Sequence, residues 1–291
     1  MKTIAVTGGS GRLGRTVIKD LLDHGYEVIN IDLQPPPVDL PPSLHPFLLC
    51  DTSDYGQTFA ALHGADAVVH LAADPRPDSD HFSAAQRFHN NALAAYNVFN
   101  ASVALGMKRV VWASSETVYG YPFDVIVPDY APIDEQHTYY PQSSYAISKV
   151  VGETMAEQFS RQSGIPFIGL QFSNVVYPHV YEDCPKFWAD PTMRIWDLWS
   201  YIDHRDAAQS VRRGLEADIT KTEAFIIAAD DTIMNRPSAD LMTEYFPTVQ
   251  LNGVLGTYQS LMSNQKAKKV LGFQPQYTWR HHISPEGQII S

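Results

Sequence analysis

A tyrosine and a lysine four residues apart give the chain the means for proton transfer. Tyr145 and Lys149 form the pattern Tyr-x-x-x-Lys in a stretch predicted to be helical, so both side chains point to one helix face. An ammonium group beside a phenol stabilises the phenolate and lowers the phenol pKa from about 10 toward neutrality. Tyr145 can then remove the proton of a substrate alcohol or return one to a carbonyl. The spacing alone also occurs by chance in ordinary helices.

Three glycines precede another predicted helix at a spacing suited to tight turns. Residues 7–14 read TGGSGRLG, and strand Thr3–Val6 leads into them. Glycine lets the backbone approach a pyrophosphate closely, and the free N–H groups of a helix N-terminus attract its charge. The flanking strand and helix favour this interpretation over an ordinary surface turn. The predicted dinucleotide-binding turn consists of Gly8, Gly11, Arg12, Leu13 and Gly14.

An acidic residue ends the second predicted strand. Asp32 lies 18 residues after Gly14. A carboxylate there accepts hydrogen bonds from the adenosine ribose hydroxyls and repels a 2′-phosphate, which favours NAD over NADP. Arg12 could hold a phosphate, but it lies at the pyrophosphate turn rather than beside the ribose. The alternative is an ordinary turn-forming aspartate.

A serine pair follows a third strand that ends near the predicted site. Residues 110–120 read VVWASSETVYG, with Ser114 and Ser115 at the carboxyl end of the strand. Ligands bind at that edge of such sheets. The Ser115 hydroxyl can therefore hold the reacting oxygen against Tyr145. The alternative for Ser115 is a helix cap or a turn.

Composition and charge limit the possible partners. The chain has 291 residues, 44% of them hydrophobic, which is enough for one large domain or a core with a dependent lobe. Its net charge of −11 makes nucleic acid and anionic membranes poor partners. Cys50 and Cys184 form no disulfide framework, and the histidines show no metal-ligand spacing, so we expect no metal. Neither a leader nor a run of about 18 apolar residues is apparent, so a cytoplasmic location is expected.

Short apolar runs alternate with helical patterns through the first half of the chain. This alternation predicts an α/β fold with a doubly wound parallel sheet covered on both faces. The predicted strands are Thr3–Val6, Glu27–Ile31, Phe47–Cys50, Ala67–Leu71, Arg109–Ala113 and Pro166–Gln171. The predicted helices after the first are Tyr55–Leu62, Phe82–Leu105, Ser144–Ser163 and Asp206–Leu215. Pro35–Pro46, with six prolines, is predicted to be a surface loop.

The second half of the chain is less regular. Tyr177–Thr192 is rich in Pro, Asp and aromatic residues and shows no period, whereas Glu223–Ala228 is predicted to be a strand that returns to the sheet. We therefore predict a dinucleotide-binding domain over 1–174 and a small C-terminal substrate lobe over 175–291. Residues 204–228 are predicted to return to the first domain.

Taken in order, the motifs resemble the extended short-chain dehydrogenase/reductases, also called the NAD-dependent epimerase/dehydratase family. The first are TGGSGRLG at 7–14, the pair Asp51–Thr52, HLAA at 70–73, Asn91–Asn97, SSETVYG at 114–120 and SYAISK at 144–149. The later ones are FSNVVYP around Asn174, YIDHRDAA at 201–208 and KAKKVLGFQPQYTW at 266–279. They span nearly the whole chain.

The resemblance implies a Rossmann-type fold, NAD as cofactor and a role for each matching residue. The implied catalytic residues are Ser115, Tyr145, Lys149 and Asn91, the last of which shapes the backbone of the active site. The implied NAD contacts are Gly8, Gly11, Arg12, Leu13, Gly14, Asp32, Asp51, Thr52, Leu71, Ala72, Ala73, Tyr145 and Lys149. Because the two long helices often pair across a two-fold axis in this family, the resemblance also implies a homodimer.

The substrate must be inferred from a short segment. Only 26 residues separate Asn174 from Tyr201, and the cations among them are Lys186 and Arg194, a poor cradle for a nucleotide diphosphate. The compactness is similar to that of uronate dehydrogenases, which oxidise a free sugar acid at C1, and Arg194 would grip the carboxylate. The chain departs from that group in its length, its proline loop and SSETVYG, and Arg194 could instead form a surface ion pair. The predicted substrate residues are Asp74, Arg76, Ser115, Glu116, Asn174 and Arg194, with ordinary loop residues as the alternative for Asp74 and Arg76.

Three functions fit this sequence. The first is an NAD-dependent dehydrogenase of a free sugar or sugar acid, acting on a hydroxyl through Ser115, Tyr145 and Lys149. The second is a nucleotide-sugar epimerase or dehydratase that recycles NAD in place. The third is a non-catalytic NAD(H)-sensing protein, against which the intact set of three residues argues.

Overall fold

The computed structural model describes residues 1–37, 45–78, 80–123, 126–284 and 287–290. Its strands, in chain order, are β1 (Thr3–Thr7), β2 (Glu27–Asp32), β3 (Phe47–Leu49), β4 (Ala67–His70), β5 (Arg109–Ser115), β6 (Tyr130–Ala131), β7 (Phe167–Phe172), β8 (Val175–Val176), β9 (Ile202–Asp203), β10 (Glu223–Ile227) and β11 (Gln250–Leu251). Its α-helices are α1 (Arg12–Asp23), α2 (Tyr55–Leu62), α3 (His81–Ala104), α4 (Ser144–Ser163), α5 (Pro178–Tyr181), α6 (Cys184–Ala189), α7 (His204–Glu216), α8 (Ser238–Tyr245) and α9 (Gln265–Leu271). Short 3₁₀ helices cover Glu116–Tyr119, Pro191–Asp197 and Trp279–His281.

A seven-stranded sheet with the order β3-β2-β1-β4-β5-β7-β10 confirms the predicted Rossmann-type α/β fold. Strand β1 pairs in parallel with β2 and β4, and the pairs β2–β3 and β4–β5 are parallel as well. The order of the strands reverses between β1 and β4. Ligands bind in sheets of this kind at the carboxyl ends of the strands beside the reversal. A ligand site is therefore expected at the loops that follow β1 and β4.

The chain divides into two compact units. The first comprises Met1–Ser114, Ser143–Leu170 and Ala208–Ala224, and the second comprises Ser115–Gln142, Gln171–Ala207 and Phe225–Ser291. The predicted proline loop falls largely outside the described residues, which omit 38–44.

Aromatic side chains hold α3 and α4 against the sheet in the first unit. Phe99 of α3 meets Trp112, Phe159 and Phe167 edge to face, with ring centroids 5.1–6.2 Å apart. Phe99 and Phe167 are completely buried, so this cluster contributes both apolar burial and favourable ring geometry. Phe159 thus fixes the C-terminal half of α4 to the core.

The segment after β8 is more regular than its sequence pattern indicates. Short helices cover Pro178–Tyr181, Cys184–Ala189 and Pro191–Asp197, where Tyr177–Thr192 shows no period. A proline occupies the first turn of each of them, where its missing N–H costs nothing because that donor has no partner within the helix. Prolines usually interrupt helices, but in this segment they lie in the first turns of short helices. Among the described residues, no helix combines the length and the apolar composition needed to cross a bilayer.

Candidate active site

The turn between β1 and α1 leaves no space for side chains at two of its glycines. Gly8 has a φ of +70°, and a Cβ on it would lie 2.7 Å from the backbone nitrogen of Ala72. A Cβ on Gly14 would lie 2.1 Å from the Gly8 carbonyl oxygen. Helix α1 begins after Gly11, and no side chain caps its first turn. The turn therefore packs closely against the loop that follows β4.

A cavity of about 410 Å³ opens beside this turn in the first unit. Ten of the residues predicted for cofactor, substrate or catalysis line it: Gly8, Gly11, Asp32, Asp51, Thr52, Leu71, Ala72, Ala73, Asp74 and Asn91. Six further residues line it that the sequence patterns do not single out: Ile31, Leu33, Cys50, Ser53, Asn90 and Ala94. All six lie within three positions of a predicted residue, so extending each motif by its neighbours would have found them.

Asp32 lines this cavity and also shapes the turn around it. Its carboxylate accepts hydrogen bonds from the backbone nitrogen of Ser10 at 2.9 Å and from that of Gln34 at 3.2 Å. The first contact ties the glycine turn to the end of β2, and the second is that of a turn-forming aspartate. The two interpretations of Asp32 are thus compatible, because a carboxylate has lone pairs for more than two donors.

Two asparagines of α3 fix the loops that border the cavity. The Asn91 amide accepts from the Asp74 nitrogen at 2.9 Å and donates to the Asp74 oxygen at 3.0 Å. The Asn97 amide donates to the carbonyl oxygens of Thr52 and Ser53 at 3.0 and 2.9 Å. Both asparagines are buried. Their hydrogen bonds attach the loops after β3 and β4 to the same helix.

Tyr145 and Lys149 lie on the first turns of α4. The Lys149 Nζ atom is 5.2 Å from the centre of the Tyr145 ring and donates a hydrogen bond of 2.8 Å to the Ala113 carbonyl oxygen of β5. Burial lowers the pKa of Lys149 to about 8, although the charge of Glu153 opposes this effect. The ammonium form therefore predominates at neutral pH, close to the phenol ring.

His70 lies in the same unit but is engaged within the sheet. Its Nδ1 atom is 2.7 Å from the Thr7 hydroxyl, and burial together with the charge of Lys149 lowers the pKa of its imidazole to about 3. His70 is thus a neutral histidine of the core. Among the described residues, no group of three or more His, Cys, Asp or Glu side chains is placed to hold a metal ion.

Ser115 begins the second unit and caps the 3₁₀ helix that follows it. Its hydroxyl oxygen accepts from the Thr117 nitrogen at 3.2 Å and from the Thr117 hydroxyl at 3.0 Å. The capping alternative for Ser115 is therefore realised, and a capping hydroxyl keeps its own proton for another acceptor.

Three of the predicted substrate residues come together in the second unit. The Glu116 carboxyl group is buried, accepts a hydrogen bond from the Asn174 backbone, and lies near the charges of Asp197 and Arg194. Burial and the Asp197 charge raise the pKa of Glu116 well above its usual range, and Arg194 offsets this only in part. One guanidinium group thus faces two buried carboxyl groups.

Arg194 is bound to its own segment. Its guanidinium group forms an ion pair with Asp197 through Nη2 and donates to the Ser200 carbonyl oxygen at 3.0 Å. It also lies 5.4 and 5.5 Å from the rings of Phe187 and Trp196. Only 6% of Arg194 is exposed, so this pair is an interior one rather than a surface one. A substrate carboxylate would have to compete with Asp197 for it.

Asp74 forms an ion pair with the exposed Arg76. Arg76 donates to the Asp74 carboxylate from Nε at 2.8 Å and from Nη2 at 2.7 Å, and the Arg76 side chain is 78% exposed. These hydrogen bonds lower the pKa of Asp74 to about 2. Asp74 lines the cavity, whereas the Arg76 side chain is exposed to solvent.

The residues of the first unit suit a dinucleotide. A tight glycine turn before α1, a carboxylate at the end of β2 and a cavity of this size are features that NAD requires. Gly8, Gly11 and the start of α1 would hold the pyrophosphate, Asp32 the adenosine ribose, and Asp51 and Thr52 the adenine. Ala72 and Ala73 would line the nicotinamide side.

Comparisons with known proteins show which proteins this chain resembles. The chain is 27% identical over 247 residues to L-arabinose 1-dehydrogenase (NAD(P)(+)) of Haloferax volcanii, covering 79% of this chain and 90% of that protein. It resembles a solved UDP-galactose 4-epimerase at 27% identity and a TM-score of 0.67, covering 98% of this chain and 95% of that one. It also shares the fold of a uronate dehydrogenase variant from Agrobacterium tumefaciens crystallised with NAD, at 19% identity, a TM-score of 0.69 and coverage of 96% and 86%.

The family can be assigned from the match to a family model. Residues 4–190, about two thirds of the chain, match the NAD dependent epimerase/dehydratase family. That range contains the glycine turn, the cavity loops, Ser115 and the pair Tyr145–Lys149. The chain belongs to the NAD dependent epimerase/dehydratase family, the extended short-chain dehydrogenase/reductases.

Proposed function

We propose that the protein is an NAD-dependent dehydrogenase that oxidises a hydroxyl group of a free sugar or sugar acid. Tyr145 removes the hydroxyl proton, Lys149 supplies the positive charge beside the phenol, and Ser115 donates a hydrogen bond to the reacting oxygen. NAD, when bound, would supply the hydride acceptor for the carbon that bears this hydroxyl. Asn91 fixes the Asp74 backbone at the edge of the cavity, and Asn174, Glu116 and Asp74 contribute to the substrate side.

The observation that carries the choice of a small substrate concerns the cations of residues 175–200. Lys186 pairs with Asp183 at 2.6 Å, and Arg194 pairs with Asp197. Both cations of this segment are therefore neutralised by carboxylates within it. A nucleotide diphosphate needs positive charge or N–H donors at this place, whereas a free sugar needs only hydroxyl and amide partners.

The ion pair of Arg194 also bears on which free sugar is the substrate. A uronate carboxylate would have to displace Asp197, leaving a buried carboxylate without its counter-charge, and such a loss costs about 3–5 kcal/mol. A neutral aldose makes no such demand. We therefore propose an aldose ahead of a uronate, which agrees with the similarity to an arabinose dehydrogenase.

A substrate panel tests the proposal. The purified protein is incubated with NAD and a series of aldoses and uronates, and the absorbance of NADH is followed. Net NADH formation with at least one free sugar is the expected result, and the Tyr145→Phe variant should lower kcat by about 10²–10⁴, the usual contribution of a positioned acid or base. Full turnover by that variant would refute the role of Tyr145.

A nucleotide-sugar epimerase is the second candidate, supported by the similarity to a UDP-galactose 4-epimerase. It predicts interconversion of UDP-sugars without net NADH and NAD that stays bound through purification. These results, together with no NADH from any free sugar, would replace the dehydrogenase proposal. No turnover of either substrate class by a protein that binds NAD would favour the NAD(H)-sensing function instead.

A further inference from the structure

A carboxylate from a distant loop contacts the first residue of α4. Asp78 Oδ2 accepts a hydrogen bond of 2.8 Å from the Ser144 backbone nitrogen, and Asp78 Oδ1 accepts one of 2.6 Å from the Ser144 hydroxyl. The two residues are 66 positions apart in the chain. Ser144 immediately precedes Tyr145, so this contact fixes the backbone that carries the phenol.

The local serine cap of α4 does not account for this contact. Ser143 is already the N-cap of α4, and its hydroxyl accepts from the Ala146 nitrogen at 3.1 Å. A capping serine of this kind satisfies only one of the four N–H groups that have no partner within the helix. The Asp78 carboxylate adds a second, longer-range attachment at the same turn.

Arg87 of α3 holds Asp78 in place. Its guanidinium group is only 5% exposed, pairs with Asp78 through Nη1, and has its Nε atom 3.5 Å from Asp74 Oδ2. A buried guanidinium is costly unless carboxylates neutralise it, so both acids of this loop are drawn toward α3. Hydrogen bonds from Ser144 and the charge of Arg87 lower the pKa of Asp78 despite its partial burial.

Asp78 belongs to the loop that follows β4, and this loop also borders the cavity. Ala72, Ala73 and Asp74 line the cavity, and Asn91 binds both backbone groups of Asp74. The loop is thus attached to the cavity through residues 72–74 and to α4 through Asp78. Arg87 contacts both acids, Asp74 and Asp78.

We propose that Asp78 and Arg87 are positioning residues that set Tyr145 relative to the cofactor cavity. The inference rests on the proposed role of Tyr145 as the proton acceptor. The Arg87–Asp78–Ser144 contacts join the nicotinamide side of the cavity to the turn that carries the phenol. Because a displacement of about 1 Å can cost about 10²-fold in rate, loosening this attachment impairs the chemical step more than cofactor binding.

The test compares Asp78→Ala and Asp78→Asn with the wild type and with Glu157→Gln. The Asn variant keeps an acceptor for Ser144 and guards against misfolding of the Ala variant. Glu157 also lies on α4 and makes an exposed ion pair with Arg161, so its variant is the control for loss of charge on the same helix. The measurements are kcat, the KM of NAD and of the sugar, and hydrogen exchange of the amides of residues 144–147.

Asp78→Ala is expected to lower kcat by about 10–100-fold, with the KM of NAD changed less than about twofold and with faster exchange at residues 144–147. Asp78→Asn should lie between it and the wild type, and Glu157→Gln should match the wild type. An unchanged kcat would overturn the proposal, as would a lower kcat with unchanged exchange at the start of α4. If the wild type oxidises no sugar, the proposed function fails, and the exchange comparison alone decides whether Asp78 holds this turn.

Discussion

Lys149 shows how burial sets the charge of a single group. Its ammonium group is fixed by the Ala113 carbonyl oxygen, and its pKa falls to about 8 because little water reaches it. The group is charged below that pH and neutral above it. The positive charge beside Tyr145 therefore depends on pH within the range in which enzymes work.

This pKa predicts an alkaline decline of activity. As the pH rises through about 8, Lys149 loses its proton and the phenolate of Tyr145 loses its neighbouring cation, so kcat/KM should fall. Lys149→Arg should move the decline to higher pH, because an arginine keeps its proton throughout this range. The measurement is kcat/KM between pH 6 and 10. Lys108→Arg, at an exposed lysine, is the control, and a wild-type profile that is level from pH 7 to 10 would contradict the assignment.

Glu116 shows the opposite effect of burial on an acid. Burial and the charge of Asp197 raise the pKa of its carboxyl group. The folded protein therefore keeps the carboxyl proton at a pH where the unfolded chain loses it. The folded state then binds more protons than the unfolded state above about pH 4.5, the usual pKa of glutamate. Stability from this group must accordingly decrease as the pH rises above that value.

Glu116→Gln should remove this decrease, since the amide resembles the protonated acid and never ionises. We expect the variant to melt at a higher temperature than the wild type at pH 8, by at least the few degrees that about 1 kcal/mol produces, and to approach it near pH 4.5. Thermal melts from pH 4.5 to 9 provide the comparison. Glu157→Gln is again the exposed control. Parallel curves for Glu116→Gln and the wild type would show that Glu116 is ionised in the folded protein.

At the scale of elements, the turn from β1 into α1 depends on the absence of side chains. A Cβ on Gly14 would meet the Gly8 carbonyl oxygen at 2.1 Å, and that oxygen cannot retreat because it also accepts the Gly11 N–H at 3.1 Å. Gly14→Ala must therefore displace the backbone that faces the cavity. The strand and the helix themselves do not need the glycine.

We expect Gly14→Ala to weaken NAD binding by about tenfold or more while the protein remains folded, because the distortion is local to the turn. Calorimetric titration with NAD gives the dissociation constant, and circular dichroism checks the fold. Gly256→Ala serves as control, since its Cβ would meet only ordinary contacts of 3.6 Å. Unaltered NAD affinity in Gly14→Ala would show that the cofactor does not use this turn.

At the scale of the whole molecule, assembly is still a prediction. Helices α3 and α4 pack on each other through Tyr96 and Phe159, whose ring centroids are 5.6 Å apart. Large apolar side chains of these helices remain exposed, among them Phe82 at 91%, Tyr96 at 45% and Ile147 at 44%. The expected homodimer would cover these side chains.

Light scattering should give twice the mass of one chain at micromolar concentration. Tyr96→Glu should shift the protein toward the monomer, because it places a charge within the expected interface. Tyr258→Glu, at a tyrosine exposed to a similar degree in the second unit, is the matched control. A wild-type monomer would remove the predicted homodimer.

Local sequence patterns predicted most of the fold and ten of the residues that line the cavity. The predicted strands Thr3–Val6, Glu27–Ile31 and Ala67–Leu71 are observed with ends shifted by one residue, and α2 and α4 begin and end where their periodicity places them. The glycine spacing and Asp32 border one cavity, since both are tied to the ends of adjacent strands. Each of these patterns involves residues that lie close together along the chain, so it can be recognised in the sequence.

The sequence by itself determined the α/β order, the glycine turn, Asp32 and the pair Tyr145–Lys149, because each depends on near neighbours along the chain. Only the tertiary structure decided that Arg194 is neutralised by Asp197, that Glu116 lies buried beside that pair, and that Asp78 reaches Ser144. Burial and contacts between distant residues set the charge and position of these groups. The spacing of residues in the sequence determines neither burial nor contacts between distant residues. The substrate side could therefore be described only from the tertiary structure.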